Sequence, residues 1–371
     1  MDHWSSEDGG HLADRIHHFI LRFVSFPSYS ASVAVVLWAA HAHLMEAWDT
    51  TPRLAFLSPE PGSGKSRALE ITALLVPRAV ESSNASSAAL IRSIKLFDET
   101  PTLLIDEIDA KYGEKAKGDE DLRSMINAGY RRGSTFLRCE PQGDDWIPVQ
   151  REAYAAMALA GLGKLPNTIM TRSVIIRMRK RAANEKVEPY RTRSHGHLGH
   201  GLRDALAAWA EQVIDEATDL RPTLPPGIQD RDAEIWEPLI VVADLFGGTW
   251  PTRAREAALE LNAESKSEGQ ASLGVRLLSD IYACFGAGDR LPSAELVKRL
   301  LVDEEAPWGD LNGRKLDQRK LADFLRPHGI NSGTIRMPDG STPKGYRLDA
   351  FKDAWGRYPP TIQATKASST E

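Results

Sequence analysis

The sequence predicts an α/β protein with a largely parallel sheet, a helical region after it, and a small C-terminal domain. Short apolar runs alternate with helical segments over residues 53–180, a pattern typical of a parallel sheet; the runs are RLAFLS, TLLID, AYAAMALAGL and SVIIRM. A Gly/Pro-rich turn joins the first run to a helix. Three helical segments and an Asp-Gly hairpin turn close the chain.

These patterns divide the chain into six segments. Residues 11–50 carry apolar positions at helical spacing, broken by SFPSYS, and predict two N-terminal helices. A Pro-rich stretch, RPTLPPG, interrupts a later helical region. The predicted segments are 1–10 disordered, 11–50 N-terminal helices, 51–182 α/β core, 183–268 helical lid or linker, 269–358 three helices with a hairpin wing (a winged-helix-like layout), and 359–371 a disordered tail.

Composition favours a cytoplasmic protein without disulfides. The net charge is −5 and the apolar fraction is 42%, both ordinary for a globular chain. The longest apolar run, Val33 to Ala40, falls short of the roughly 20 residues of a membrane helix, so no membrane partner is expected. The acidic N-terminus does not resemble a secretory signal. Cys139 and Cys284 are far apart and show no metal-ligand spacing.

The stretch LAFLSPEPGSGKSRALEITALLV (residues 54–76) predicts a phosphate-binding loop between a strand and a helix. In such a loop, successive backbone N–H groups point at phosphate oxygens. The expected phosphate and nucleotide contacts are Gly62, Ser63, Gly64, Lys65, Ser66 and Arg67. Lys65 would reach the β- and γ-phosphates, and the Ser66 hydroxyl would bind Mg²⁺. Pro59 replaces the first glycine of the usual pattern, which alters the turn entering the loop and not the donors.

A second motif, TLLIDEID (residues 102–109), is an apolar strand that ends in carboxylates. Asp106 is expected to hold Mg²⁺, and Glu107 to orient and polarise the attacking water. An acidic turn after a strand is common by itself. Downstream of the glycine-rich loop, however, it predicts a nucleotide-hydrolysing enzyme that uses ATP and Mg²⁺.

Arg172 precedes the last predicted strand and is the candidate arginine finger, which would reach the γ-phosphate held by a neighbouring subunit. An arginine that anchors a loop is the alternative. Arg131 and Arg132 are further candidates for this role or for lining a DNA channel. Asn167 or Thr168 could serve as the polar sensor residue after the AYAAMALAGL strand.

Local basic surfaces on this mildly acidic chain are compatible with DNA contact. Residues 311–360 contain ten basic and five acidic side chains. The expected DNA contacts in the C-terminal domain lie on its third helix and in the wing: Lys315, Arg319, Lys320, Arg336 and Lys344.

Together these segments resemble one P-loop family. The matching segments include HAHLMEAWDTTPRLAFLSPEPGSGKSRALE, LLIDEID, INAGYRRG, ALAGLGKLPNTIMTRSVIIRMR and WEPLIVVADLFGGTW, and, near the C-terminus, LADFLRPHGI and KGYRLDAFKDAWGRY. The family is a phage and actinobacterial P-loop ATPase family of unknown function, often found in prophages and beside primase modules. The resemblance covers about residues 15–358 and implies a RecA/AAA-like replication ATPase. Members share the Ser-Pro-Glu-Pro entry to the loop, which accounts for Pro59.

Three functions remain open at this point. The first is a DNA-dependent, ring-forming ATPase of phage or mobile-element replication, helicase-like, that binds single- or double-stranded DNA. It would be a homo-oligomer, with a hexamer as one option and a primase or other replication protein as a partner. The second is a non-unwinding AAA-like switch such as a helicase loader, initiator or regulator. The third is a protein-interaction or defence ATPase whose winged helix binds protein.

Overall fold

A computed structural model describes residues 8–83, 87–94, 100–112, 120–142, 145–286, 288–303, 306–311 and 314–358. The chain divides into two compact units, residues 1–263 (unit 1) and 264–371 (unit 2). The predicted disordered tail at 359–371 lies outside the described residues, as do 1–7 of the predicted disordered N-terminus.

Unit 1 contains a five-stranded parallel sheet, so the predicted α/β core is confirmed. Its strand order is β2-β3-β6-β1-β7. The four predicted runs become β1, β3, β6 and β7, while the short β2 was not predicted. The strands are β1 Arg53–Ser58, β2 Ala79–Ser82, β3 Thr102–Ile105, β6 Ala156–Leu162 and β7 Ser173–Arg177.

The helices of unit 1 form before, between and after these strands. They are α1 Gly9–Phe23, α2 Tyr29–His41, α3 Lys65–Ala73, α4 Ser87–Ser93, α5 Asp109–Tyr112, α6 Glu120–Ala128, α7 Asn167–Met170, α8 Thr192–Asp219 and α9 Asp230–Phe246, and α10 Trp250–Phe285 begins here and continues into unit 2. A 3₁₀ turn, Ala42–Ala47, follows α2. Within the described part of the chain, no helix combines the length and apolar character needed to cross a membrane.

Both faces of the sheet are buried, and β1 shows why its sequence is a continuous apolar run. Leu54 and Phe56 point into a core built with α1, α2, α8 and α9. Ala55 and Leu57 alternate with them and point into a second core, which includes Leu122 and other residues of α6. A parallel strand between two helical layers has no solvent face, so polar alternation is absent.

Two helix boundaries differ from the sequence prediction. Residues 231–263 have helical spacing throughout, but Gly247 and Gly248 adopt φ of 72° and 58° and separate α9 from α10. Conversely, α10 runs without a break through position 268, where a domain boundary was predicted. Glycines that take positive φ end a helix readily, whereas a polar helical stretch carries no stop signal.

An antiparallel hairpin inserted between β3 and β6 was not predicted. It consists of β4, Thr135–Gln142, paired with β5, Asp145–Glu152, in a continuous register. Within this hairpin, the apolar side chain of Leu137 is 75% exposed, so it does not mark a buried face as apolar strand residues usually do.

Among its described residues, unit 2 contains the C-terminal part of α10, three further helices and a small antiparallel sheet. Leu277, Trp308 and Phe351 lie in its core. The expected hairpin is present, and its turn contains Gly340 with φ of 83°. A third strand, β8, pairs with β10 and gives the order β8-β10-β9. The elements are β8 Arg290–Pro292, α11 Ser293–Leu300, α12 Gln318–Leu325, β9 Gly333–Thr334, β10 Lys344–Arg347 and α13 Lys352–Arg357, with 3₁₀ turns at Pro307–Gly309, Arg326–His328 and Leu348–Phe351.

Buried histidines make the stability of unit 1 depend on pH. Burial lowers the pKa of His17 to about 4 and that of His41 to about 3. The unfolded chain therefore takes up protons below pH 6.5 that the folded chain does not bind, so stability is lost as the pH falls from 6.5 towards these values. We expect each histidine to lower the free energy of unfolding by about 2 kcal/mol between pH 7 and pH 5.

Urea unfolding at the two pH values measures this effect. His17→Gln should reduce the difference between pH 7 and pH 5, while the same change at the exposed His197 should leave it unchanged. Equal pH dependence in both variants and the wild type would contradict the assignment to His17.

Candidate functional site

The turn between β1 and α3 has the backbone of an anion-binding loop. Gly62 and Gly64 adopt φ of 75° and 86°, and Gly64 caps α3, whose first residue is Lys65. Space is available for a side chain at Gly62, so its glycine is required for conformation and not for packing. Alternation of left-handed glycines at a helix N-terminus turns backbone N–H groups towards one point, where an anion is favoured.

The side chain of Lys65 packs against this loop. Its side chain is nearly buried, with the residue 8% exposed, and Nζ donates to Ser58 Oγ at 2.8 Å and to Ser63 Oγ at 3.2 Å. Burial lowers the pKa of Lys65, and the carboxylates of Asp109 and Asp106 partly offset this effect. The ammonium group therefore rests on neutral acceptors, which the oxygens of a phosphate can replace with stronger, charge-assisted bonds. The next residue, Ser66, exposes its hydroxyl at the first turn of α3.

The second motif lies at the carboxyl end of β3. Glu107 is exposed and adopts φ of 53°, a left-handed conformation that is uncommon outside glycine. The half-buried Asp106 stabilises this turn, because its Oδ1 accepts a hydrogen bond from the Glu107 N–H at 2.8 Å. The strained turn directs Glu107 into solvent while Asp106 stays at the edge of the sheet. Backbone strain of this kind is concentrated at functional sites.

Parallel pairing brings the two motifs to one edge of the sheet. Strands β1 and β3 both pair with β6, so their carboxyl ends are one strand apart. The N–H of Gly163, directly after β6, donates to the Ser58 carbonyl at 2.9 Å and fixes the entry to the loop. In open α/β sheets, ligands bind in the crevice at this carboxyl edge, where the strand order reverses.

A cavity of about 590 Å³ opens beside the loop. The loop itself contributes Gly62, Ser63 and Gly64, and the cavity then extends along the end of α1 and the segment after β7. Its other lining residues are Phe23, Val24, Ser25, Arg67, Arg179, Lys180, Arg181, Val187, Glu188, Pro189 and Tyr190. Arg67, predicted from its place in the motif, stacks its guanidinium over the Tyr190 ring at 5.2 Å and pairs with Glu70 at 2.8 Å.

Arg172 lies at the opposite, amino-terminal edge of the sheet, directly before β7. The length of β7 separates it from the loop, roughly 15 Å at about 3.3 Å per residue. Its guanidinium lies over the Tyr130 ring at 5.7 Å, and burial lowers its pKa. Arg172 therefore does not belong to the site formed by its own loop.

Arg131 and Arg132 lie near the same edge but differ in their contacts. Arg131 is exposed and pairs loosely with Glu234 at 3.6 Å. Arg132 donates to the carbonyl oxygens of Trp48 and Met45 and stacks on Tyr154, so it has a structural role. The two weak sensor candidates, Asn167 and Thr168, are exposed at the start of α7.

The predicted DNA contacts of unit 2 are on its surface. Arg319 is exposed in the first turn of α12, whereas Lys315, expected on this helix, lies exposed before its N-cap Asp317; Arg336 and Lys344 are exposed in the hairpin. Lys320 is different, because its Nζ donates to the carbonyl oxygens of Leu311 at 3.3 Å and Arg314 at 3.5 Å.

Sequence reasoning missed several residues that shape the site. Asp109 accepts a hydrogen bond from the Leu162 N–H at 2.8 Å and so ties the turn after β3 to β6. Gly161 makes this contact possible, since a Cβ there would lie 2.7 Å from Ile108 Cγ2 and 2.9 Å from Asp109 Oδ1. The third carboxylate in TLLIDEID was a usable signal for Asp109. The role of Tyr190 depends on tertiary contacts and had no local signal.

Two comparisons with known proteins found similar sequences. A family model described as "Protein of unknown function (DUF3631)" matches residues 177–358. An "Uncharacterized 28.9 kDa protein in xis 5'region" of Saccharopolyspora erythraea is 43% identical over 183 residues, which make up 49% of this chain and 69% of that protein. The chain belongs to the same family as this protein. The region matched by the family model begins at Arg177, after the loop, and includes the cavity wall at 179–190 and most of unit 2.

Proposed function

We propose that this member of the family is a Mg²⁺-dependent P-loop ATPase with a RecA/AAA-like core. The observation that carries the proposal is the convergence of Gly62–Ser66, Asp106 and Glu107 at the carboxyl edge of one parallel sheet. Two motifs 40 residues apart in the sequence meet where such sheets bind ligands. The electrostatic influence of Asp106 on Lys65 supports the same arrangement.

The residues of the site fit a magnesium ion. A serine hydroxyl at Ser66 and a carboxylate at Asp106 supply hard oxygen donors, which Mg²⁺ prefers. When bound, Mg²⁺ neutralises charge on the β- and γ-phosphates. The loop N–H groups and Lys65 would bind and orient the triphosphate, and the exposed Glu107 carboxylate would accept the proton of the attacking water.

A ring-forming assembly would give Arg172 its proposed role. Its distance from its own loop means that it could act on a nucleotide only in a second copy of the chain, as an arginine finger does. The exposed Arg131 lies near the same edge and could contribute to that interface.

The proposed work of the ATPase is DNA-linked, within phage or mobile-element replication. The end of α10, α11 and α12, together with a three-stranded sheet that includes the hairpin, support a winged-helix domain in unit 2. Exposed basic residues on α12 and the hairpin would contact phosphates. Helicase-like translocation is the preferred mode, and a switch that controls partner assembly is the alternative.

Steady-state ATP hydrolysis with Mg²⁺, measured without DNA and with single- or double-stranded DNA, tests this function. Strong stimulation by one form of DNA supports the DNA-driven ATPase. Slow hydrolysis that does not respond to DNA favours the switch. Absence of both hydrolysis and ATP binding would overturn the proposal.

Charge reversal in unit 2 should weaken DNA binding. In the full chain, Lys315, Arg319, Arg336 and Lys344 are replaced by glutamate. This removes four cations that would neutralise DNA phosphates on binding and so release the counterions of those phosphates. We expect the affinity to fall by at least about tenfold at low salt, and the salt dependence to become shallower. Fluorescence anisotropy at several salt concentrations measures both effects. The exposed Lys186 and Arg221, reversed together, provide a control in unit 1. Unchanged affinity in the unit 2 variant would exclude this surface.

A further inference from the structure

The cavity beside the loop has two chemically different halves. One set of lining groups, the loop at Gly62–Gly64 and the basic side chains of Arg179, Lys180 and Arg181, suits phosphates. The other set, from the end of α1 and the segment after β7, is apolar or aromatic: Phe23, Val24, Val187 and Tyr190. A phosphate needs only the first half. The second half indicates that the ligand carries an apolar, planar part attached to its phosphates.

The apolar half is formed by two segments that are far apart in the sequence and firmly joined in the fold. The N–H of Glu188 donates to the Arg22 carbonyl at 2.7 Å, and the Glu188 carboxylate pairs with Arg22 at 2.8 Å. The Ser25 hydroxyl also donates to Glu185 Oε2 at 3.2 Å. These contacts fix the 179–190 segment against the end of α1 and keep the cavity open.

Aromatic packing gives this wall its shape. The rings of Phe23 and Tyr190 meet edge to face, with centroids 5.3 Å apart. The Arg67 guanidinium lies over the Tyr190 ring and also lines the cavity. Planar guanidinium and aromatic groups are the usual partners of a nucleobase.

We infer that this cavity is the nucleoside-binding subsite, in which Val187 and Tyr190 contact the base and ribose of a nucleoside triphosphate. The inference rests on the proposed function and adds to it. The segment at 179–190 falls within the region matched by the family model. That region therefore supplies the nucleoside-binding half of the site, and the loop that precedes it supplies the phosphate-binding half.

Two ligands, one with a nucleoside and one without, test the phosphate-binding and the apolar lining of the cavity separately. Isothermal titration with MgATP and with magnesium tripolyphosphate should be carried out on the full chain and on Val187→Trp, which fills the cavity from a half-buried position. We expect the affinity for MgATP to fall at least about tenfold, because the bulky side chain displaces the base. Tripolyphosphate affinity should remain within about twofold of the wild-type value. Tyr190→Leu removes the aromatic face at similar volume and should give the same pattern.

Val302→Trp is the matched control, since Val302 is 75% exposed in unit 2, and neither affinity should change. Thermal unfolding confirms that each variant is folded. If the wild type binds tripolyphosphate and ATP, but both cavity variants retain ATP affinity or lose both ligands equally, the inference is overturned and the ATPase proposal stands. If the wild type binds neither ligand, both fail.

Discussion

Replacing Glu107 by glutamine is expected to slow ATP hydrolysis by about two to three orders of magnitude while MgATP binding stays the same. Glutamine keeps the size of the side chain and its hydrogen bonding but cannot accept a proton from water. The Glu107 side chain is exposed, and the turn depends on its backbone N–H bonded to Asp106, which glutamine retains. Single-turnover hydrolysis and nucleotide binding, measured on the same preparation, separate the chemical step from affinity.

Glu256→Gln is a matched control, because Glu256 is an exposed glutamate on α10 of the same unit. Its hydrolysis rate should equal that of the wild type. If Glu107→Gln hydrolysed ATP at the wild-type rate, Glu107 would not be the general base. Asp109 would not be the next choice, since its carboxylate is bonded to the Leu162 N–H. Loss of binding together with hydrolysis would indicate that the turn itself had been disturbed.

Replacing Lys65 by alanine is expected to raise the Kd for MgATP by about a hundredfold or more, because the loop loses its charge-assisted bond to the phosphates. Folding should survive, since the acceptors of the ammonium group among the described residues are neutral: the hydroxyls of Ser58 and Ser63 and the carbonyl oxygen of Glu60. Alanine removes a partly desolvated cation, and the thermal midpoint should not decrease by more than a few degrees.

Lys186→Ala, at an exposed lysine of the 179–190 segment, controls for the loss of one positive charge near the cavity. Its Kd for MgATP should remain within about twofold of the wild-type value. Equal affinity of Lys65→Ala and the wild type would show that the loop does not bind phosphate. The proposed ATPase function would then be withdrawn, whatever the outcome for Glu107.

Features that depend on neighbouring residues were predicted correctly, and features that depend on residues distant in the chain were missed. Strand β1 was predicted with its observed bounds, because a buried parallel strand is a continuous apolar run ended by a turn. The hairpin of β4 and β5 was missed; in β4 the apolar residue Leu137 is exposed and so marks no buried face. The break between α9 and α10 was missed because glycines inside a helical pattern end the helix only in some contexts.

The sequence by itself determined the strand–loop–helix unit at 53–73 and the acidic strand end at Asp106 and Glu107. Both depend on local chemistry, namely glycine conformation and the apolar pattern of neighbouring residues. Only the tertiary structure decided that β6 lies between these strands, that Arg172 is at the far edge, and that 179–190 packs on α1. Strand order and cavity walls arise from contacts between residues distant in the chain, which no local pattern encodes.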